Sequence, residues 1–254
     1  MNNDVKKSEA LQDGNSNDVF LSDDTVIRNT GAWSPFVHQF LQYLTQQGFD
    51  KSPIFIETNA EKERLSYIKG EVGHYPLKPY MMTDTMLVES AKLLREFHDI
   101  SQNFTVPSDS QFFAPNLEKH PHKVICHNDF APYNLVFRDE HIVGIIDFDT
   151  SAPATRIWDI AYAVYRFAPL VTDEHCHDMG WKTPPNRLER LKLFCDSYGL
   201  DDRTKLIDTV IERLQALIQY IEENSTTLEH LSVYNADIVY IQDNKTLWNS
   251  ALRA

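Results

Sequence analysis

Hydrophobic positions along this chain recur at two periods, and the change from one to the other divides it. In residues 1–70 the short period dominates. Val19-Phe20-Leu21, Thr25-Val26-Ile27-Arg28, residues 53–57 and residues 64–68 are short β-branched or aromatic runs separated by polar turns. The turns are residues 11–18, which hold Asp13-Gly14, then Ser22-Asp23-Asp24, and Thr58-Asn59-Ala60-Glu61. One helical period interrupts them: Phe36, Val37, Phe40, Leu41 and Leu44 share a face. Ser34 is placed as its N-cap, Pro35 as its first residue and Gly48 as its stop. The order reads β-β-β-α-β-β, a small antiparallel sheet with one helix. The polar residues up to about Ala10 are expected to be loose.

From residue 71 the helical period takes over. Thr83-Asp84 caps a helix carrying Met86, Leu87, Ala91, Leu93, Leu94 and Phe97 and ending near His98. A loop with Pro107 and Pro115 follows. Three short apolar runs come next: Val124-Ile125-Cys126, Leu135-Val136-Phe137 and residues 142–146. Residues 158–165 open a buried helix, 171–185 read as irregular, and 187–198, 202–223 and 227–248 read as helical, the last with a break. The fold class is α+β, with one unit at 1–70 and a mostly helical one at 71–254.

Composition narrows the function. The 254 residues carry a formal net charge of -13, which argues against nucleic acid and anionic membranes as partners and suits a small, cationic one. The three cysteines, Cys126, Cys176 and Cys195, have no C-x-x-C spacing, so a reducing compartment is expected. No apolar leader or membrane-length run is present. The expected location is the cytoplasm.

The chemistry concentrates in residues 124–150, V-I-C-H-N-D-F-A-P-Y-N-L-V-F-R-D-E-H-I-V-G-I-I-D-F-D-T. His127, Asp129, Asn134, Asp147 and Asp149 stand at the ends of apolar runs, where burial without partners is costly. Arg138-Asp139-Glu140-His141 joins two of the runs as a hairpin. That puts Asn134, at the start of one strand, beside Asp147, at the end of its neighbour. An amide oxygen and a carboxylate together are hard ligands suited to Mg2+. Asp129 is placed to take the proton of an attacking hydroxyl.

H-N-D-F-A-P-Y-N resembles the H-x-D-x-x-x-x-N catalytic loop of the aminoglycoside phosphotransferase and choline kinase family, which shares the protein-kinase fold. I-I-D-F-D resembles the metal-binding segment of that family, W-D-I-A its following helix, and L-S-Y-I-K-G its hinge beside the nucleotide. The resemblance implies a bilobal, protein kinase-like fold with an N-lobe at 1–70 and a C-lobe at 71–254. It implies a phosphotransferase that moves the γ-phosphate of ATP, or GTP, to a hydroxyl of a small molecule, with aminoglycosides, amino sugars and amino alcohols as candidates. Asp129 would be the catalytic base, with His127 bracing its loop. Asn134 and Asp147 would hold Mg2+, Asp149 either the metal or the loop, and Asp159 would brace the catalytic loop. Arg28, Asn15, Ser16, Ser66, Tyr67 and Ile68 would contact the nucleotide.

Two positions depart from that pattern. Arg28 stands where the family has a phosphate-binding lysine, and residues 34–47 offer no glutamate to pair with it; His38 and Gln39 lie near that place. These departures support an alternative, a kinase-fold nucleotide binder without transfer activity. The clusters His120, His122, Cys126, His127 and His175-Cys176-His177-Asp178 lack zinc-site spacing. Asp173, Glu174 and Asp178 read as a solvated acidic loop rather than the wall of a substrate cleft.

Overall fold

In the computed structural model, which describes residues 9–10, 19–59, 61–114 and 123–253, the short-period segments form one antiparallel sheet. Its strands are β1 (Glu9–Ala10), β2 (Phe20–Ser22), β3 (Thr25–Asn29), β4 (Phe55–Thr58) and β5 (Lys62–Ser66), in the order β1-β2-β3-β5-β4. Glu9 and Ala10 were expected to be loose. They instead pair with Leu21 and Phe20, through backbone groups that need no apolar signal in the sequence. Asn59 turns β4 into β5 by accepting from the N–H groups of Glu61 and Lys62.

Helix α1 (Ser34–Gln46) buries the face read from its periodicity. Ser34 is not its N-cap. The cap position is Trp33, and the Ser34 hydroxyl accepts from the Gly31 N–H at 2.9 Å. The hydroxyl thus closes the entering turn rather than the helix end.

Two small sheets and a group of helices follow. β6 (Glu71–Val72), β8 (Leu135–Arg138) and β9 (His141–Ile145) form one sheet, and β7 (Val124–Cys126) pairs with β10 (Ala152–Ala154) in the other. The β8–β9 turn places Asp139 and Glu140 at φ 52 and 60, the paired left-handed geometry of a tight hairpin. The helices are α2 (Asp84–Ser101), α3 (Arg156–Phe167), α4 (Asp173–Asp178), α5 (Arg187–Tyr198), α6 (Leu206–Asn224) and α7 (His230–Arg253). Thr83 caps α2 through a bond from the Met86 N–H. Inside the segment read as irregular, Thr172 caps α4 by accepting from the His175 N–H. α6 starts later than expected, because the Asp202 carboxylate takes the N–H and hydroxyl of Thr204 in a preceding turn. α7 runs without the expected break.

One aromatic cluster ties these parts together. Phe40 of α1, Phe97 of α2 and Phe148 of the I-I-D-F-D segment are in mutual ring contact, with centroids 5.8–6.4 Å apart. Phe104 packs on Phe40 as well. All three rings of the triangle are buried, so the approach of α1 to α2 and the placement of Phe148 are one packing problem. Phe97→Ala should lower the unfolding free energy by about 3–5 kcal/mol, read by urea denaturation.

Candidate active site

The site is assembled around a carboxylate that solvent does not reach. Asp159, in the first turn of α3, is 0% exposed. Its Oδ2 accepts from the His127 N–H at 2.8 Å, and its Oδ1 from the Asn128 N–H at 2.9 Å. His98 of α2 bonds to Oδ2 at 3.0 Å through Nε2. Burial pushes the Asp159 carboxyl up, but the bonds from His98 and His127 prevail and hold it below its ordinary value. Tyr198 bonds the other His98 nitrogen at 2.8 Å and accepts from Arg156. The acceptor-only carboxylate assigns His98 as Nε2–H, and Tyr198 then donates to Nδ1.

This brace fixes the loop that carries Asp129. Asn128 has φ 64, a left-handed conformation that asparagine tolerates. Its Nδ2 donates to the Thr150 carbonyl, and the Thr150 hydroxyl donates to the His127 carbonyl. His127 Nε2 meets the Ile146 carbonyl at 3.0 Å. His127 therefore links the Asp129 loop to the Asp147 segment, a bracing contact.

Asp129, Asn134 and Asp147 converge. The Asn134 amide nitrogen donates to both Oδ2 and the carbonyl of Asp129, each at 2.9 Å. Two acceptors on the nitrogen orient the amide, and the Asn134 Oδ1 is left without a protein donor among the described residues. Leu135 pairs with Ile145, and the Ile146 N–H bonds to the Asn134 carbonyl at 2.9 Å, so the hairpin delivers Asn134 and Asp147 to one edge. Asp147 has φ 63 and a half-exposed side chain. A free amide oxygen and an accessible carboxylate fit a hard divalent cation such as Mg2+.

Arg28 reaches the same edge from β3. It pairs with Glu63 of β5, with Asp149 at 2.5 Å and with Asp147 at 3.5 Å. Burial works against its charge, but Asp149, Glu63 and Asp147 overcome that and hold the guanidinium above its ordinary range. Glu63 stands opposite Arg28 in the strand register and is also bonded by His38 of α1. The acid missing from the helix is thus supplied by the neighbouring strand, and the helix contributes a histidine to the same carboxylate. Glu63 was not singled out from the sequence, yet its signal is there: it shares the inward face of β5 with Leu65.

One cleft of ≈1540 Å³ runs past these groups. Ser66, Tyr67 and Ile68 line it. The Ser66 hydroxyl accepts from the Ile54 N–H at 2.8 Å, and the Tyr67 N–H bonds the Asp24 carbonyl. Gly144 lets Ile68 close on the hairpin, since a Cβ there would stand 2.7 Å from Ile68 Cδ1. Asn15 and Ser16 lie outside the described residues.

On the other side of Asp129 the cleft is lined by groups that the sequence reading missed. Tyr133 donates to Asp129 Oδ1 at 2.6 Å and meets the Tyr162 hydroxyl at 2.7 Å. Arg166 donates to Tyr162 through Nε and Nη2. Because the Tyr133 proton goes to the carboxylate, Tyr162 must donate to Tyr133, and the chain of donors runs Arg166, Tyr162, Tyr133, Asp129. Arg166 is the only charge between Ile160 and Phe167, a lone cation in a buried run.

His175, Cys176 and His177, which lack zinc-site spacing, go to separate partners or the core: His175 bonds Asp237, His177 bonds the Trp181 carbonyl, and Cys176 is buried. His120 and His122 lie outside the described residues. Among the described residues His98, Cys126 and Asp159 do bring potential ligand atoms together, but His98 and Asp159 are committed to each other in the brace. No helix of the described residues is long and apolar enough to cross a membrane.

Residues 108–182 match the model of the phosphotransferase enzyme family. The trifolitoxin immunity protein of Rhizobium leguminosarum bv. trifolii is 29% identical over 201 residues, which cover 77% of this chain and 75% of that protein. Amicoumacin kinase, solved with AMP-PNP, calcium and amicoumacin, superposes with a TM-score of 0.67 at 12% identity, over 94% of this chain and 89% of that one. A choline kinase of Streptococcus pneumoniae superposes with a TM-score of 0.61 at 14% identity, over 93% and 94%. At these identities the superpositions show the fold, a mixed α+β arrangement of protein-kinase type.

The brace has a pH signature. Burial, working against the bond to Asp159, holds His98 below its ordinary 6.5. The folded state keeps His98 neutral while the unfolded chain takes a proton at about 6.5, so this contribution to stability is complete above that pH. It is lost as pH falls from there towards the folded value. The stability gap between wild type and H98Q should therefore narrow from pH 8 to pH 5 in thermal melts; a constant gap would contradict a neutral His98.

Proposed function

We propose that this chain, whose residues 108–182 match the phosphotransferase enzyme family model and whose fold is of protein-kinase type, transfers the γ-phosphate of ATP to a hydroxyl of a small molecule. The observation that carries this reading is the convergence of Asp129, Asn134 and Asp147 within one cleft, with Asn134 bonded to Asp129. ATP or GTP is the donor; the neighbour solved with AMP-PNP supports a nucleoside triphosphate. Ser66, Tyr67 and Ile68 lie beside its base and Arg28 takes its phosphates; Asn15 and Ser16 are nucleotide contacts by the sequence resemblance alone.

In this mechanism the acceptor oxygen forms a bond to the γ-phosphorus. The bond from phosphorus to the β–γ bridging oxygen breaks, and its electron pair leaves with ADP. The proton of the hydroxyl passes to the Asp129 carboxylate, which Tyr133 and Asn134 hold from either side. Asn134 and Asp147 would hold Mg2+, which supplies positive charge against the phosphate oxygens. His127 and Asp159 keep the loop in register. The lobes divide at about residue 70, and the location is cytoplasmic.

Aminoglycosides, amino sugars and amino alcohols are acceptors that the resemblance suggests. The relative named for trifolitoxin immunity adds toxins to the set. ADP release is the direct test, over a panel that includes these classes. Asp129→Ala should retain nucleotide binding and lose transfer by on the order of 10²–10⁴-fold. ATP should raise the thermal midpoint more with Mg2+ than with a chelator. Binding of MgATP with no ADP release on any acceptor would leave a nucleotide-binding protein instead.

A further inference from the structure

The cleft beyond Asp129 has the wrong sign for a polycation. Its lining includes Arg166 and Arg213. Among the described residues no ion pair joins either arginine to a carboxylate, although the chain as a whole carries a net charge of -13. The other acids of the cleft are engaged elsewhere: Asp147 and Asp149 with Arg28, and Glu71 with Lys78. Asp173, Glu174 and Asp178 do not line it.

Arg213 is built for a ligand rather than for packing alone. It is 9% exposed. Its guanidinium lies over the rings of Trp158 and Tyr162, 5.6 and 5.0 Å from their centroids. One Nη donates to the carbonyl of Asn128, the residue before Asp129, at 2.5 Å. Its Nε has no hydrogen-bond partner, and neither does the Asn128 Oδ1. A buried N–H on a guanidinium is rarely left unmet, and a charged N–H of this kind suits a carboxylate or phosphate oxygen. Arg166, held by Tyr162 and Tyr234, adds a second positive charge in the same lining.

Resting on the phosphotransferase reading of this cleft, we infer that the acceptor carries an oxyanion, a carboxylate or phosphate group, which Arg213 binds beside Asp129. A hydroxyl compound with such a group is favoured over a sugar bearing only amines. Arg213 is then a specificity residue, and its charge anchors the acceptor while Asp129 takes the hydroxyl proton.

The test is a matched charge series: D-glucuronate, D-glucose and D-glucosamine, bound to the full chain in the presence of Mg2+ and AMP-PNP and followed by saturation-transfer NMR, with glucose 6-phosphate as the phosphate arm. Either anion should bind at least about tenfold more tightly than glucosamine. R213Q should abolish that preference while keeping MgATP affinity, and R213K should restore part of it. If R213Q fails to bind MgATP, the wild-type series and R213K decide. A preference for glucosamine, equal affinities, or no binding of either anion overturns the inference. The parent reading is tested separately by MgATP binding and ADP release. Transfer to amine sugars alone would keep the kinase and remove the oxyanion; anion binding without transfer would do the reverse.

Discussion

A buried carboxylate with no protein cation beside it has to be met by hydrogen bonds, and the candidate site depends on how this chain meets that demand at Asp159. Its oxygens collect the backbone N–H groups of His127 and Asn128 and the ring of His98. Two consecutive amides pointing at one carboxylate leave the next residue little freedom. Asn128 is driven into a left-handed conformation, and Asp129 emerges into the cleft. The same demand joins α2, α3 and the loop, since His98 and Asp159 come from different helices. Replacing Asp159 would leave two amides and an imidazole without acceptors in a dry site, at a cost to which each missing bond adds.

The sheet applies the same physics to a cation. Arg28 sits largely out of solvent, and its register partner Glu63 is more deeply buried still. Each is tolerable because the other is there, and His38 completes the glutamate from the helix side. The arrangement answers the question raised by an arginine on β3 and a helix without acids. Pairing across two adjacent strands fixes Arg28 through the ladder itself, independent of how α1 is seated. Phe40 and Phe148 then connect α1 to the Asp147 segment by packing. Charge and packing thus reach the same segment by separate routes.

Much of this was legible from the order of residues. Period and turn residues carry the sheet, α1, α2 and the β8–β9 hairpin, because each buries a face that repeats along a short stretch. H-N-D-F-A-P-Y-N and I-I-D-F-D carry Asp129, Asn134 and Asp147 at the hairpin edge, because the connection between them is local. What was not legible depends on pairing across the fold. Glu63 acquires its meaning only when β3 and β5 are in register, at a separation of 35 residues. Arg213 meets Asn128 across 85 residues, and nothing in the amphipathic pattern of α6 marks it. β1 pairs with β2 through backbone groups, which leave no apolar pattern to read. Ser34 looked like a cap because serine before proline usually is one; the Gly31 N–H competed for its hydroxyl and won.

The two halves of the cleft carry opposite charge, with Asp129 at their junction. On the hinge side one guanidinium, Arg28, faces three carboxylates, those of Glu63, Asp147 and Asp149. Counted by charge, that half is negative by two, which a divalent cation would balance. Without one, the carboxylates outweigh Arg28 and the half would repel a polyphosphate. On the other side, among the described residues, neither Arg166 nor Arg213 is ion-paired with a carboxylate, and Arg166 connects to Asp129 through Tyr162 and Tyr133. A donor chain ending on the carboxylate fixes which way its oxygens face in the cleft. Arg166, which heads this chain, and Arg213 both line the cleft beside Asp129, so the orientation of that carboxylate and the charge of the cleft next to it follow from one placement of arginines.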